Sequence, residues 1–411
     1  MTSTKFEINR NILLQALQQS AYAVMTYKEY NSRSGWADAF RSYVFKVEAD
    51  QMAILTSNGE IFMSVTISVG NPDGATATFA LFAPQLLKAV KTLEDQQLTF
   101  EVYEYQVVVR HSIGSFALPL SEGAAEFMER PKPTINETWA KEYEMEAPGL
   151  LSVLSKCKFA MADDELRPVM NGVCVNITEN YTDFAASDGH LLVRIRQKGQ
   201  NEKKAMCVLP KRIVNILLKV LPKTGFVLMQ LNEYEPDTKV EKGVKTPAPC
   251  CRIAVDNIEL IFSPIQGRYP NYDSVIPTTH TKECQVKRIS LIKSIERLMQ
   301  FTPDSSGLIV VYMENEKMRL ETKDYDFAVE ANETIPCQYK GDKLRIGYKD
   351  EGIIKILKNL NAEYVTFYCT DESRASIVQP TIQAENEDAL MLIMPMLFSD
   401  DDLKFKSVKT N

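Results

Sequence analysis

Two clusters in the sequence carry side chains that could do chemistry. Asp163, Asp164 and Glu165 offer three successive carboxylates for acid/base work or metal binding, and Cys250 with Cys251 offers a nucleophile. Neither has the company that catalysis needs. The three histidines, His111, His190 and His280, form no Cys-His signature, and the acids run straight into Arg167 and Pro168, which reads as a charged turn. No phosphate-binding GxxxxGK[ST], no GxGxxG and no zinc spacing occurs, and the eight cysteines contain no CxxC. The expectation is a protein with no catalytic activity, no metal and no cofactor.

A second kind of chemistry is carried by cations. Segments with helical periodicity contain Arg10, Lys88, Lys91, Lys156, Lys158, Lys211, Arg212, Lys219, Lys287, Arg288, Lys293, Arg297, Lys355 and Lys358. Acids in these segments are few: Glu296 inside one, Asp350 and Glu351 at the start of another, Glu94 and Asp95 just past the end of a third. Lys88 and Lys91, Lys293 and Arg297, and Lys355 and Lys358 are spaced to share a helix face. The formal net charge is −7, so the remaining acids lie mostly in strands and loops. Basic helices in an acidic chain predict a regular polyanion as partner, and duplex DNA contacted through its phosphates fits best. No interleaved aromatic platform accompanies the charges, which argues against single-strand or base-specific readout.

The elements that must position these cations repeat. A short strand, an apolar amphipathic helix and further strands recur from Phe6, Thr78, Tyr143, Lys204, Cys284 and Lys343. Leu13, Leu14, Leu17 and Ala21 in the first copy, and Ile353, Ile354, Leu357 and Leu360 in the last, mark the buried helix face. Between the helices lie β-type runs such as LTFEVYEYQVVVRH and YVTFYCT, so the class is α+β with antiparallel hairpins. Pairing the copies gives three domains, 1–130, 139–280 and 281–398, separated near the Pro-rich Glu129–Trp139 stretch and near Val275–Glu283, with a tail at 399–411. At 45% apolar and 25% charged residues the composition is that of a globular protein. The start lacks a signal-peptide pattern, and no apolar run reaches the ~18 residues of a membrane span. A cytoplasmic protein with reduced thiols is expected.

Three motifs then carry a resemblance. DDELRPVMNGVCV (Asp163 to Val175) followed by FAASDGHLL (Phe184 to Leu192), IQGRYPNYDSVIP (Ile265 to Pro277) and LIMPMLF (Leu392 to Phe398) occur in the order and spacing of the beta subunit family of bacterial DNA polymerase III, which the chain resembles over nearly its whole length. The resemblance implies a DNA-clamp fold: three similar domains, each of two helices packed on antiparallel sheets, whose six-fold pseudo-repeat closes into a head-to-tail dimeric ring around duplex DNA. It implies a sliding clamp, a processivity factor that tethers polymerase, clamp loader and repair proteins through short linear motifs.

The residues facing DNA would be the helical cations Arg10, Lys88, Lys91, Lys156, Lys158, Lys211, Arg212, Lys293 and Arg297, with Lys28 and Arg167. By motif position, the partner-peptide cleft would be lined by Met170, Ser187, Gly189, His190, Leu191, Leu192, Pro270, Ser274, Val275, Ser376, Leu392, Met394, Pro395 and Met396. At the dimer interface Phe116 and Leu118 would face Met299 to Phe301. On their own, Met394 to Met396 read sooner as an edge strand capping a core, and Asp188-Gly189 could be only a hairpin turn. Leu191 and Leu397 stand where the family commonly has basic residues, which predicts a more apolar rim. Thr26–Phe40 departs from the family's apolar stretch and reads as a flexible segment from which Lys28 or Arg33 could reach DNA. The tail could shield the cleft.

Overall fold

The computed structural model describes residues 4–32, 38–71, 74, 76–136, 140–232, 249–303, 305–324 and 327–398. Arg33 and the tail from Ser399 lie outside them. The chain divides into two compact units, Met1–Leu151 with Asn215–Pro264, and Ser152–Val214 with Ile265–Asn411. No helix among the described residues is long and apolar enough to cross a membrane.

Eight helices occur among the described residues: α1 (Arg10–Ser20), α2 (Tyr27–Asn31), α3 (Ala83–Thr92), α4 (Ala124–Glu129), α5 (Ala147–Cys157), α6 (Lys211–Val220), α7 (Arg288–Leu298) and α8 (Asp350–Asn359). Six of them, all but α2 and α4, are 10 or 11 residues long. Each of the six follows a strand with no residue between, from Thr4–Asn9 before α1 to Leu344–Lys349 before α8. These are the six copies expected from the repeat. Five of the six, all but α8, carry no acid in the first turn. Their own first turns therefore supply no carboxylate to offset the partial positive charge of the helix start, although Asn9 caps α1 by accepting from the amides of Asn11 and Ile12.

In the first unit an eight-stranded antiparallel sheet runs Ala77–Phe82, Ser42–Glu48, Gln51–Ser57, Ile61–Ser68, Ile258–Phe262, Cys250–Val255, Phe226–Asn232, Ala140–Glu146. A four-stranded sheet, Thr4–Asn9, Gln97–Val102, Gln106–His111, Gly114–Pro119, accompanies it. In the second unit twelve strands run Ala205–Pro210, Gly172–Ile177, Tyr181–Ser187, Leu191–Lys198, Glu387–Ile393, Ser376–Pro380, Tyr364–Cys369, Lys282–Lys287, Val329–Lys340, Lys317–Asp324, Leu308–Glu314, Leu344–Lys349. The first eight repeat the first unit's order strand for strand. In both units one strand pair joins the two halves of this eight-strand order: Ile61–Val65 with Ile258–Phe262, and Leu191–Gln197 with Glu387–Ile393.

Side chains tie the long helices to these sheets. The Tyr43 hydroxyl donates to the Leu17 carbonyl (2.9 Å), which also accepts from the Ala21 amide, and Thr56 Oγ1 donates to the Ser20 carbonyl at the end of α1 (3.0 Å). Arg10 turns back onto α3: its guanidinium donates to the carbonyls of Val90 (3.0 Å) and Lys91 (2.7 Å). Arg288 repeats the device on α8, donating to Leu357 (3.1 Å) and Ala362 (2.6 Å). Both guanidiniums cap the negative end of a neighbouring helix. Arg10 therefore has a structural task.

The segment read as flexible is also ordered where it is described. Thr26 and Glu29 form a capping box around α2, with Glu29 N donating to Thr26 Oγ1 (3.3 Å) and Thr26 N to Glu29 Oε2 (2.7 Å). The guanidinium of Arg41 sits 5.0 to 5.2 Å from the rings of Tyr30, Phe82 and Tyr27. Lys28 projects from this helix and is exposed.

Arg288→Met is expected to lower the unfolding free energy by about 1–2 kcal/mol, and Arg10→Met by a similar amount, because each removes two charge-assisted hydrogen bonds at a helix end. Lys88→Met should change it by less than ~0.5 kcal/mol. Urea denaturation checks this, and equal small losses for all three would remove the capping role.

Candidate functional site

All fourteen residues assigned to the peptide cleft belong to the second unit. They gather around the pairing of Leu191–Lys198 with Glu387–Ile393, where Leu192 stands opposite Leu392 and Leu191 opposite Ile393. Strand alternation puts these two pairs on opposite faces. Leu192 and Leu392 join an apolar cluster with Tyr269, Tyr272, Ile377 and Leu390. Leu191 is only 6% exposed. Its Cδ2 lies 3.4 Å from where a Cβ on Gly352 of α8 would stand. It is thus core beneath α8 and does not make the rim more apolar. Ser376, opposite Ile393, shares the inner face and accepts a hydrogen bond from the buried Tyr348 hydroxyl (2.7 Å). Leu397, by contrast, is 78% exposed.

The turn before Leu191 is built by its own side chains. Gly189 N donates to Ser187 Oγ (3.1 Å), and the amides of His190 and Leu191 both donate to Asp188 Oδ1 (2.8 and 2.7 Å). Gly189 has φ +95°, the left-handed region that glycine enters without strain. A Cβ there would also come within 3.4 Å of Arg167 Nη1. Arg167 in turn pairs with Asp164 (2.8 Å), whose Oδ1 accepts from Leu166 N (2.8 Å). The guanidinium holds the Asp164 carboxyl below its ordinary range, with the backbone amide adding to the effect. The clustered acids therefore make a charged turn, as their sequence context suggested.

The Gly-x-Tyr-Pro motif supplies residues that the sequence reading passed over in favour of Pro270, Ser274 and Val275. Tyr272 donates to Asp183 Oδ2 (3.0 Å) and accepts from Asn176 Nδ2 (3.0 Å). Fully buried Asp183 takes both arms of Arg196 at 2.7 Å. Its carboxylate pushes the Arg196 guanidinium upward against the opposing cost of burial. Asp273 adds weaker contacts to Arg194 (3.7 Å) and Arg196 (3.9 Å). This network and the Tyr269–Tyr272 pair, 6.4 Å apart, pin the strap that carries Pro270, Ser274 and Val275, all exposed. The two tyrosines of the motif were the available signal.

At the chain's described end, Met394 N donates to the His190 carbonyl (2.9 Å) and Met396 N to that of Gly347 (2.8 Å). Gly347 is required there, since a Cβ would sit 2.7 Å from the Met396 carbonyl oxygen. The candidate cleft thus has a buried floor of Leu192 and Leu392, while Met170 is buried and Gly189, His190, Pro270, Ser274, Val275 and Met394 are exposed. Ser187, Pro395 and Met396 are half-buried between them.

The basic residues fall into two groups. Lys28, Lys88, Lys91, Lys158 and Lys293 are exposed and, among the described residues, have no acidic partner. Others are engaged. Half-buried Lys156 pairs with Glu387, Lys211 with Asp163 (3.2 Å), and Arg297 with Glu333 through bonds of 2.5 and 2.6 Å. Arg212 is half-buried. The proposed interface residues are likewise mixed: Phe116 and Met299 half-buried, Leu118 buried, and Phe301 42% exposed.

Cys250 and Cys251 are fully buried, and burial pushes the Cys250 thiol up to about 11 and that of Cys174 to about 12. At pH 8 a thiol of pKa 11 is roughly 0.1% thiolate, the reactive form. Alkylation of both residues in the native protein should be at least ~100-fold slower than that of free cysteine, with full reactivity on unfolding. Mass mapping of carbamidomethylated peptides reads this, and prompt native labelling of Cys250 would reopen the nucleophile reading.

Comparison with known proteins adds to this geometry. The family model for the DNA polymerase III beta subunit central domain matches residues 144–271, and that for its C-terminal domain matches 273–397. The beta sliding clamp of Haemophilus influenzae is 22% identical over 399 residues, covering 95% of this chain and 99% of that protein. The clamp of Chlamydia pneumoniae is 24% identical over 74% of this chain and 80% of its own length. The sliding clamp of Pseudomonas aeruginosa superposes with a TM-score of 0.82 at 19% identity, covering 97% of this chain and 100% of that one. The Thermotoga maritima beta subunit gives 0.81 at 20%, covering 96% and 100%. At such identities the structural matches establish the clamp fold. With both domain models matched in sequence, together over more than half its length, the chain belongs to the DNA polymerase III beta subunit family, the beta sliding clamps, which are processivity factors and not enzymes.

Proposed function

We propose that the chain acts as a cytoplasmic head-to-tail homodimer of three-domain subunits (1–130, 139–280, 281–398) that encircles duplex DNA and holds polymerase, clamp loader and repair proteins by short peptides in the cleft around Leu192, Leu392 and Met394. The observation that carries this is a pair of unfilled strand edges. The fourth strand of the first domain and that of the second each pair with the last strand of the following domain. The corresponding strand of the third domain begins at Val329, and over Val329–Pro336 it pairs, among the described residues, only with Lys317–Asp324. The last strand of the first domain, Gly114–Pro119, pairs only with Gln106–His111. Each edge is what the other's counterpart elsewhere takes as a partner. Such edges are normally covered. Apolar side chains flank both: Ile113 is 92% exposed, Phe327 78% and Val329 36%. Pairing them between two copies makes a heterologous contact that closes after two subunits.

In that ring the unpaired Lys28, Lys88, Lys91, Lys158 and Lys293 would contact phosphates, with Arg167, Lys211 and Arg212 in support. Lys156 and Arg297 would contribute only by giving up Glu387 and Glu333. Such contacts are sequence-neutral and individually weak, so the ring slides while its closure keeps it on DNA.

Sedimentation should give a mass of two chains, and Phe116→Asp or Phe301→Asp should give one. A monomeric parent would overturn the ring. The dimer should stay on nicked circular DNA and fall off once the circle is linearised; equal loss from both forms would leave no topological tether. Met394→Ala should weaken a polymerase-derived peptide by ~10-fold or more, as for a central anchor, with the dimer intact, and unchanged affinity would move the cleft elsewhere.

A further inference from the structure

The first unit contains a second copy of the cleft's framework. The turn Ser57-Asn58-Gly59-Glu60 is built like the turn at Ser187. Gly59 N donates to Ser57 Oγ (2.8 Å), and the amides of Glu60 and Ile61 both donate to Asn58 Oδ1 (3.2 and 3.0 Å). Gly59 has φ +91°, beside +95° at Gly189. The strand that leaves each turn pairs with the last strand of the next domain, Phe62 opposite Ile261 where the second unit has Leu192 opposite Leu392. The chain following each domain's last strand crosses the face concerned: α4 here, the Tyr269–Val275 strap there.

The two copies differ in closure. Leu192 and Leu392 are buried beneath Tyr269 and Tyr272, whereas Phe62 and Ile261 stay half-buried. Phe127 packs at a tilt against Phe40, 4.9 Å between ring centroids, and Met128 is left 37% exposed. A cavity of about 110 Å³ remains among Leu55, Phe62, Ile261, Phe127, Met128 and Lys132. An apolar cavity of ~150 Å³ accepts a benzene ring, so this space admits one aliphatic side chain. Its charge is one-sided. Glu259 on the wall is neutralised by Arg252 (2.5 Å), while exposed Lys132 has no acidic partner among the described residues.

We propose that this groove is a second docking site for linear peptides, holding one aliphatic anchor over Phe62 and Ile261 and a neighbouring carboxylate at Lys132. Only the choice of a peptide as ligand rests on the function proposed for the first cleft; the cavity and its charge are independent of it.

The test uses the full chain labelled with 13C at methionine methyls, with Met128 assigned by Met128→Leu and Met394 by Met394→Leu. The probes are acetyl-Leu-Leu-Glu-amide and acetyl-Leu-Leu-Gln-amide. The Met128 signal should shift on titration with the glutamate peptide. Exchange to the glutamine peptide, or Lys132→Gln, should weaken that titration about 2–3-fold, the size of one exposed ion pair. Ile261→Lys should abolish the Met128 response with an unchanged thermal melt. A Met128 signal that stays fixed overturns the proposal, whether or not Met394 responds. Equal titration by both peptides overturns the carboxylate contact. Concentration-dependent movement of Met128 without peptide would assign the groove to a second copy instead. Movement of Met128 with Met394 fixed would support this site while removing the first cleft.

Discussion

Backbone pairing between successive domains is the interaction on which the rest depends. A strand edge carries a row of amides and carbonyls that must find partners. Here strand Leu191–Lys198 finds them on Glu387–Ile393, and strand Ile61–Ser68 finds them on Ile258–Phe262. Pairing fixes register, and register fixes which side chains face which way. A slip of one residue would move Leu192 and Leu392 from the face roofed by Tyr269 and Tyr272 to the face beneath α8. The candidate cleft is thus a by-product of how one domain is joined to the next.

Charge follows a similar economy. The chain is acidic overall, yet five of its six long helices begin without an acid and carry lysines or arginines along their length. Fold and function compete for those cations. Arg10 and Arg288 end helices, Lys156 and Arg297 tie helices to Glu387 and Glu333, and the exposed lysines remain. A cation held in an ion pair still adds to the long-range potential only in part, because its partner cancels most of it beyond a few ångströms. The lysines without partners therefore dominate the field that a polyanion meets.

The sequence made the six strand-helix copies legible because helical periodicity and repeat spacing are local properties. The turn at Asp188-Gly189 and the charged turn at Asp164–Pro168 were legible for the same reason. What could not be read was phase and partnership. Leu191 and Leu192 are equally apolar neighbours, and only the pairing with Ile393 and Leu392 decides which one lies under α8. Arg10 looks like any surface cation until the end of α3, some 80 residues away, is brought beside it. The capping box of α2 was visible as Thr26-x-x-Glu29, but the polar composition around it pointed toward a loop.

Duplication also explains why two similar junctions need not do the same work. The fold supplies each with a glycine turn, a paired floor and a linker crossing it, so their difference must lie in the linker's side chains. Two tyrosines and a carboxylate–arginine network hold the second linker flat on its floor, and the exposed groups there sit at its margins. The first linker is a short helix whose aromatic residue is drawn to Phe40, and the floor beneath it stays partly open. Removing a half-buried apolar floor from water is worth ~25 cal/mol per Å². Leaving Phe62 and Ile261 uncovered therefore forgoes stability that a tyrosine at the position of Phe127 or Met128 could recover. A groove kept open at that cost, with a free lysine at its edge, is better accounted for by an occupant than by incomplete packing.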